Sequence, residues 1–152
     1  MSRTVLITGG SGYFGSILAD LALGRGDRVR TFDLNPPSPR DRERADGGDG
    51  RIEYVAGDVR DLDALRAASD GVDVVLNNVA QVPLAKDREL FWSVNVTGTA
   101  NVLLAARDRG VSKVVHTSSS AIFGIPESNP VTEDTPGRPL EAYGRAVIPA
   151  FA

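Results

Sequence analysis

The feature that most constrains the fold is a run of glycines placed between an apolar run and a helical pattern. Val5, Leu6 and Ile7 read as a buried strand, and Thr8-Gly9-Gly10-Ser11-Gly12-Tyr13-Phe14-Gly15 follows directly. Phe14, Ile17, Leu18 and Leu21 then recur at helical spacing, and Gly24 and Gly26 punctuate the end of that helix. The glycines at 9, 12 and 15 have separate tasks in such a turn. Gly9 permits the tight change of direction, Gly12 omits the Cβ that would block an approaching anion, and Gly15 lets helix and strand pack closely. The N–H groups from Ser11 to Phe14 are expected to be free, with the positive end of the helix dipole behind them. A glycine triplet alone describes many loops. Its position between strand and helix is the context that phosphate binding requires.

The rest of the chain repeats the strand-then-helix rhythm. Further strands are predicted at 28–32, 52–56, 72–76 and 114–117. A short helix carrying Leu62, Leu65, Arg66 and Ser69 follows a candidate N-cap, Asp61, and a long helix runs over 88–109. Strands apolar on both faces and separated by helices predict an α/β fold: a Rossmann-type, doubly wound parallel sheet of about five strands. With 152 residues, one domain over 1–152 is expected. Two stretches break the rhythm. Residues 35–50 hold three prolines, three glycines and a run of charges without periodicity, and are expected to form a mobile loop. Residues 124–139 carry four prolines and read as an extended surface loop.

A carboxylate sits where such a fold would use one. Asp33 closes the second strand, and from there it can accept both hydroxyls of an adenosine ribose. The same charge repels a 2′-phosphate, which favours NAD over NADP. Asp58, after the third strand in Gly57-Asp58-Val59, could accept from an adenine amino group or could simply be a turn or N-cap aspartate. Composition excludes other classes. A net charge of −3 argues against a nucleic-acid partner, and zero cysteines rule out disulfides and thiolate chemistry. One histidine, His116, cannot build a multi-histidine metal centre, so no metal is expected; a core histidine is the plainer reading of it. No apolar run approaches the roughly 20 residues needed to cross a bilayer, and the start has no signal-peptide core, so a cytoplasmic protein without membrane partners is expected.

Six segments together carry a family resemblance: TGGSGYFG (8–15), FDL (32–34), GDV (57–59), NVTGT (95–99), TSSSAIFG (117–124) and Tyr143. The chain from Arg3 to Tyr143 resembles the extended short-chain dehydrogenase/reductase superfamily, specifically the NAD-dependent epimerases and dehydratases that act on nucleotide-linked sugars. The resemblance implies NAD as cofactor and a nucleotide-sugar-like substrate. It implies catalytic roles for Ser119 and Tyr143. It assigns the cofactor to Gly9, Gly12, Tyr13, Phe14, Gly15, Asp33, Asp58 and Val59, to the backbone of Asn78, Val79 and Ala80, and to a site floor braced by Asn95. Members usually carry His-Leu-Ala-Ala where this chain has Asn77-Asn78-Val79-Ala80. In such enzymes a phenolate takes a proton from a sugar hydroxyl while hydride leaves the same carbon for the nicotinamide. A free phenol titrates near pH 10, roughly three units above neutrality, so the family adds a lysine four residues after the tyrosine.

That lysine is Val147 here, and Arg145 at i+2 points to another side of a helix. Pro149 argues against a regular helix, so 143–152 is expected to be an atypical segment that leaves apolar surface uncovered on one side of the fourth and fifth strands. In the family a sugar-binding lobe follows, so the resemblance implies a C-terminally truncated chain. Two readings stay open: a family oxidoreductase in truncated form, or a catalytically inactive dinucleotide-binding module with a regulatory or scaffold role. The helix over 88–109 has two apolar stripes, Phe91/Val94/Gly98/Val102/Ala105 and Trp92/Val96/Leu103. The second is free to form a homodimer, and a separate complementary chain is the other partner considered.

Overall fold

The computed structural model describes residues 2–39, 41–43, 50–81 and 87–147. Five parallel strands form one sheet in the order β3-β2-β1-β4-β5: β1 (Thr4–Thr8), β2 (Arg28–Asp33), β3 (Ile52–Ala56), β4 (Val74–Asn77) and β5 (Lys113–His116). Helix α1 (Tyr13–Gly24) lies on one face, with Ala19 and Ala22 against Val5, Ile7 and Val29. Helices α2 (Leu62–Ala68) and α4 (Thr99–Asp108) cover the other, where Leu6, Phe32, Val75, Leu65, Val102 and Ala105 form the larger core cluster. Both faces of the central strand β1 are therefore buried, which explains its continuous apolar run. The doubly wound sheet expected from the sequence is the observed fold.

Several predicted boundaries shift. The fourth strand begins at Val74 instead of residue 72. Gly71 at φ +67° turns the chain, and Val72 is apolar because it packs into the core from that turn. The fifth strand runs one residue earlier than predicted, although the Thr117 N–H still reaches Asn77 O at 3.0 Å. Asp61 is the N-cap of α2, accepting from the N–H groups of Asp63 and Ala64 at 3.0 Å each. The long helix is not uniform: α3 (Arg88–Trp92) and α4 flank a π-helical stretch, Ser93–Gly98. Its stripe at Phe91, Val94, Gly98, Val102 and Ala105 is buried, whereas Leu103 is 39% exposed.

The C-terminal segment also differs from expectation. Ala142–Val147 is an α-helix, α5, packed on a 3-10 turn (Ser120–Phe123) and on the π-helical stretch. Gly144 makes this possible, since a Cβ there would fall on the Ala121 carbonyl. Pro149 lies outside the described residues. The uncovered apolar surface is present, but on the other side of the sheet: a groove of about 330 Å³ between α1 and β4–β5, lined by Leu18, Leu21, Val74, Leu76 and Val115. Within 35–50, Ser38 caps a helical turn through Asp41, and the Asp41 carbonyl accepts from the Tyr54 hydroxyl at 3.0 Å; Arg40 and 44–49 lie outside the described residues. Residues 124–140 contain no helix or strand. Among the described residues no helix is long and apolar enough to cross a membrane.

Candidate functional site

The strand order reverses at β1, which leaves a crevice between the C-terminal ends of β1 and β4. Register brings Thr8 beside Phe32 and Asn77, and Asp33 beside Ala56, so these strand ends share one level. A cleft of about 330 Å³ opens there. Its walls are Gly9 and Gly12, the strand end Phe32–Asn35, the turn Gly57–Val59, and the segment Asn78–Gln81 with Val94 beneath.

Gly9 and Gly15 make the turn and the close helix contact that their spacing suggests. Gly9 has φ +69°, a region closed to most side chains, and lies against Val79 N. A Cβ on Gly15 would press on the Gly9 carbonyl and come within 2.7 Å of Gly10 Cα, so the helix and the turn touch there. A Cβ on Gly12 would meet only Gly9 O at 3.3 Å and would otherwise point into open space. Gly10, to which the sequence reading gave no role, rests on Thr31 with 2.7 Å between its would-be Cβ and Thr31 Cγ2.

The expected set of free amides needs correction. Ser11 N–H is donated to Asp33 Oδ2 at 3.1 Å, and Gly12 N–H to Gly9 O at 3.1 Å. Those two groups close the turn. With Gly12 as N-cap, the amides of Tyr13, Phe14 and Gly15 occupy the first turn of α1, where no helix carbonyl precedes them. The free amides of the helix start are therefore those of Tyr13–Gly15, not Ser11–Phe14. Tyr13 is 86% exposed and Phe14 51%, so their side chains stay out of the core.

Asp33 lies at the cleft, its Oδ1 accepting from Asn35 N–H at 2.8 Å and its Oδ2 from Ser11. Asp58 also lines the cleft, but Arg60 holds its carboxylate through Nε at 2.9 and 3.0 Å and Nη2 at 2.5 Å. That hydrogen-bonded guanidinium keeps the Asp58 carboxyl below the usual carboxylate range. Its turn role is the one the geometry displays. Asn95 pairs with both sides of the Gln81 backbone, accepting from N–H at 2.8 Å and donating to the carbonyl at 3.0 Å. It is 3% exposed and fixes the segment that carries Asn78, Val79 and Ala80.

A polar relay that the sequence reading missed ties three strand ends together. The buried Thr8 hydroxyl donates to Asn77 Oδ1 at 2.6 Å and accepts from Asn78 N–H at 3.2 Å. Asn77 Nδ2 lies 2.9 Å from His116 Nδ1, which places His116 in a structural role. Burial pushes the His116 imidazole below its ordinary value. Among the described residues, no cluster of potential metal ligands occurs.

Ser119 Oγ accepts from Ala121 N–H at 3.2 Å and caps the 3-10 turn on which Gly144 of α5 rests. The Ser119 turn and the Tyr143 helix are thus in contact. Tyr143 is half-buried, its ring 6.4 Å from that of Phe91. Val147, in the lysine position of the resemblance, is 5% exposed.

A doubly wound sheet with a glycine turn, an open helix N-terminus and an acidic strand end defines a Rossmann-type dinucleotide-binding fold. The model of the NAD-dependent epimerase/dehydratase family matches residues 5–150, and the chain belongs to that family. It is 49% identical over 146 residues to an uncharacterised protein of Sinorhizobium fredii, covering 96% of this chain and 35% of that protein. It is 35% identical to a UDP-glucose 4-epimerase of Streptomyces lividans, covering 97% of this chain and 45% of that enzyme. Among solved structures it resembles a short-chain dehydrogenase/reductase superfamily protein of Agrobacterium tumefaciens with bound NAD, at TM-score 0.84 and 35% identity, covering 97% of this chain and 43% of that one. The chain thus spans less than half the length of these relatives.

Proposed function

We propose that this chain forms the NAD-binding part of an oxidoreductase of the epimerase/dehydratase type, acting on a nucleotide-linked sugar. The observation that carries the reading is the cleft at the β1/β4 reversal, where Gly12 leaves open space in front of the α1 amides and Asp33 stands at the neighbouring strand end. The residues fit the cofactor. The amides of Tyr13–Gly15 take the diphosphate, Asp33 takes the adenosine ribose, and Asp58 and Val59 line the adenine end. Asn78, Val79 and Ala80 line the nicotinamide end, held by Asn95. When bound, NAD supplies a hydride acceptor and donor.

Tyr143 holds the proton of the substrate hydroxyl at its phenolic oxygen, and Ser119 orients that hydroxyl. The Ser119 oxygen already accepts from Ala121 N–H, which leaves its own proton free to donate to substrate. The sugar-nucleotide class rests on the likeness to UDP-glucose 4-epimerase. A homodimer through the helix at 88–109 is part of this proposal, supported by the exposure of Leu103 beside the buried stripe; a cytoplasmic location accompanies it. The family match does not favour the inactive binding module. Titration calorimetry with NAD+ tests the reading: binding in the micromolar to millimolar range is expected, and absence of binding at millimolar NAD+ overturns it.

A further inference from the structure

We propose that Asn101 is a positioning residue for the adenosine end of the cleft, setting the backbone of the turn Asp58–Val59–Arg60. The inference rests on the functional reading above and adds to it a residue remote from the ligand.

The turn is tied to the sheet at its start, where Gly57 N–H donates to Asp33 O at 3.0 Å, and Val59 packs into the core, but the carbonyls of Val59 and Arg60 take their direction from elsewhere. Asp61 N–H closes it on Asp58 O at 2.9 Å, and the Asp58 carboxylate is engaged by Arg60 within the same turn. Neither contact sets the direction of those carbonyls. Asn101, on α4, does so. Its Nδ2 donates to Val59 O at 3.1 Å and to Arg60 O at 3.0 Å, so one amide group satisfies two successive carbonyls and fixes their common direction. It is 8% exposed and sits beside Val102, Ala105 and Ala106 in a helix that otherwise offers apolar groups to the core. An amide there costs desolvation that a leucine would not, and only its hydrogen bonds compensate.

Gly98, three residues earlier, supports the same contact. A Cβ at that position would come within 2.6 Å of Val59 Cγ2, so the missing side chain lets Val59 seat on the helix. Val59 in turn lines the cleft with Asp58. The order of dependence runs from Asn101 to the two carbonyls, to Asp58 and Val59, and then to the adenine face. The opposite wall, Asn78–Gln81, is held separately by Asn95. The two walls have independent ties, so they can be perturbed independently.

Half-ligands read this independence. AMP tests the adenosine wall and nicotinamide mononucleotide the other, each titrated by ligand-observed NMR beside NAD+, against the wild-type chain and Asn101→Asp. The aspartate keeps the shape and removes the donor. AMP affinity is expected to fall about tenfold, the equivalent of one poorly placed polar contact, while mononucleotide affinity stays within about twofold. Asn101→Ser, which retains one donor, is expected to lose less, and it serves if the aspartate variant fails to fold. Equal losses for the two half-ligands, or unchanged AMP binding, overturn the inference. A wild-type chain that binds none of the three ligands overturns the functional reading and this inference with it. Normal wild-type binding beside unaffected variants overturns the Asn101 inference alone.

Discussion

Replacing Gly12 by alanine separates what the fold needs from what the ligand needs. Gly12 has φ −79° and ψ 169°, extended values that alanine adopts without strain. The new methyl meets one protein atom, Gly9 O at 3.3 Å, a contact that a shift of a few tenths of an ångström relieves. Alanine is a poorer N-cap than glycine, while a stiffer unfolded chain offsets about 0.4–1 kcal/mol. The net change in stability is therefore expected to stay within about 1 kcal/mol, or about 2–4 °C in Tm for a chain of this size. The methyl nevertheless projects into the space in front of the Tyr13–Gly15 amides. A diphosphate seated there must retreat from its donors, and NAD+ affinity is expected to fall at least about tenfold, equivalent to about 1.4 kcal/mol. Gly12→Val is expected to abolish measurable binding. Gly15→Ala is the contrast: its methyl would press on Gly9 O and lie 2.7 Å from Gly10 Cα, so it is expected to cost about 1–3 kcal/mol of folding stability or more. Thermal unfolding and calorimetry with NAD+ on the three variants provide the readout. Gly12→Ala binding NAD+ as well as wild type, or unfolding as readily as Gly15→Ala, would refute the reasoning.

Asp33→Ala is expected to weaken NAD+ binding about tenfold or more and to narrow the preference for NAD+ over NADP+, because a carboxylate that bonds one ribose form and repels the other is gone. Parallel titrations with both nucleotides check it, and an unchanged preference counts against the ribose assignment. Burial holds the His116 imidazole below the roughly 6.5 of a free one, so the unfolded chain takes up this proton first as pH falls. The stability tied to neutral His116 is complete above about pH 6.5, declines as pH falls towards the lower folded-state value, and is absent below it. Asp27, Asp58 and Asp108 are held below the usual carboxylate range by hydrogen bonds from arginines, so their contributions persist through this window. His116→Gln is expected to flatten the fall of Tm between pH 7 and 5; parallel curves for the two proteins would contradict this. Val147→Lys places an ammonium at a position that is 5% exposed, and is expected to lower Tm without giving sugar-nucleotide turnover; turnover at rates usual for the family in the unaltered chain would show that the lysine position is dispensable.

The strand-and-helix order and the turn and packing roles of Gly9 and Gly15 were legible because both depend on local spacing. Apolar runs separated by helical stripes specify a doubly wound sheet, and a glycine turn between strand and helix has one steric logic wherever it occurs. Contacts between distant segments were not legible. Thr8 and Asn77 are 69 positions apart, and only the register of β1 with β4 brings them together. The donation of Ser11 N–H to Asp33 was hidden for the same reason, and it moved the free amides to Tyr13–Gly15. Asn101 carried no visible signal beyond being an amide beside Val102 in an apolar stripe. Helix α5 was missed because Pro149 dominated the local reading, although the six residues from Ala142 form a helix before it. From sequence alone Asp58 reads either as a turn aspartate or as an adenine-facing carboxylate; Arg60, two residues on, occupies its carboxylate.

Amide-resolved NMR of the labelled chain titrated with NAD+ tests the central claim most directly. Shifts concentrated at Gly12–Gly15, Asp33–Asn35, Gly57–Val59 and Asn78–Gln81 are the predicted result. Shifts confined to other surfaces, or a spectrum unmoved at millimolar NAD+, would contradict a dinucleotide seated in this cleft.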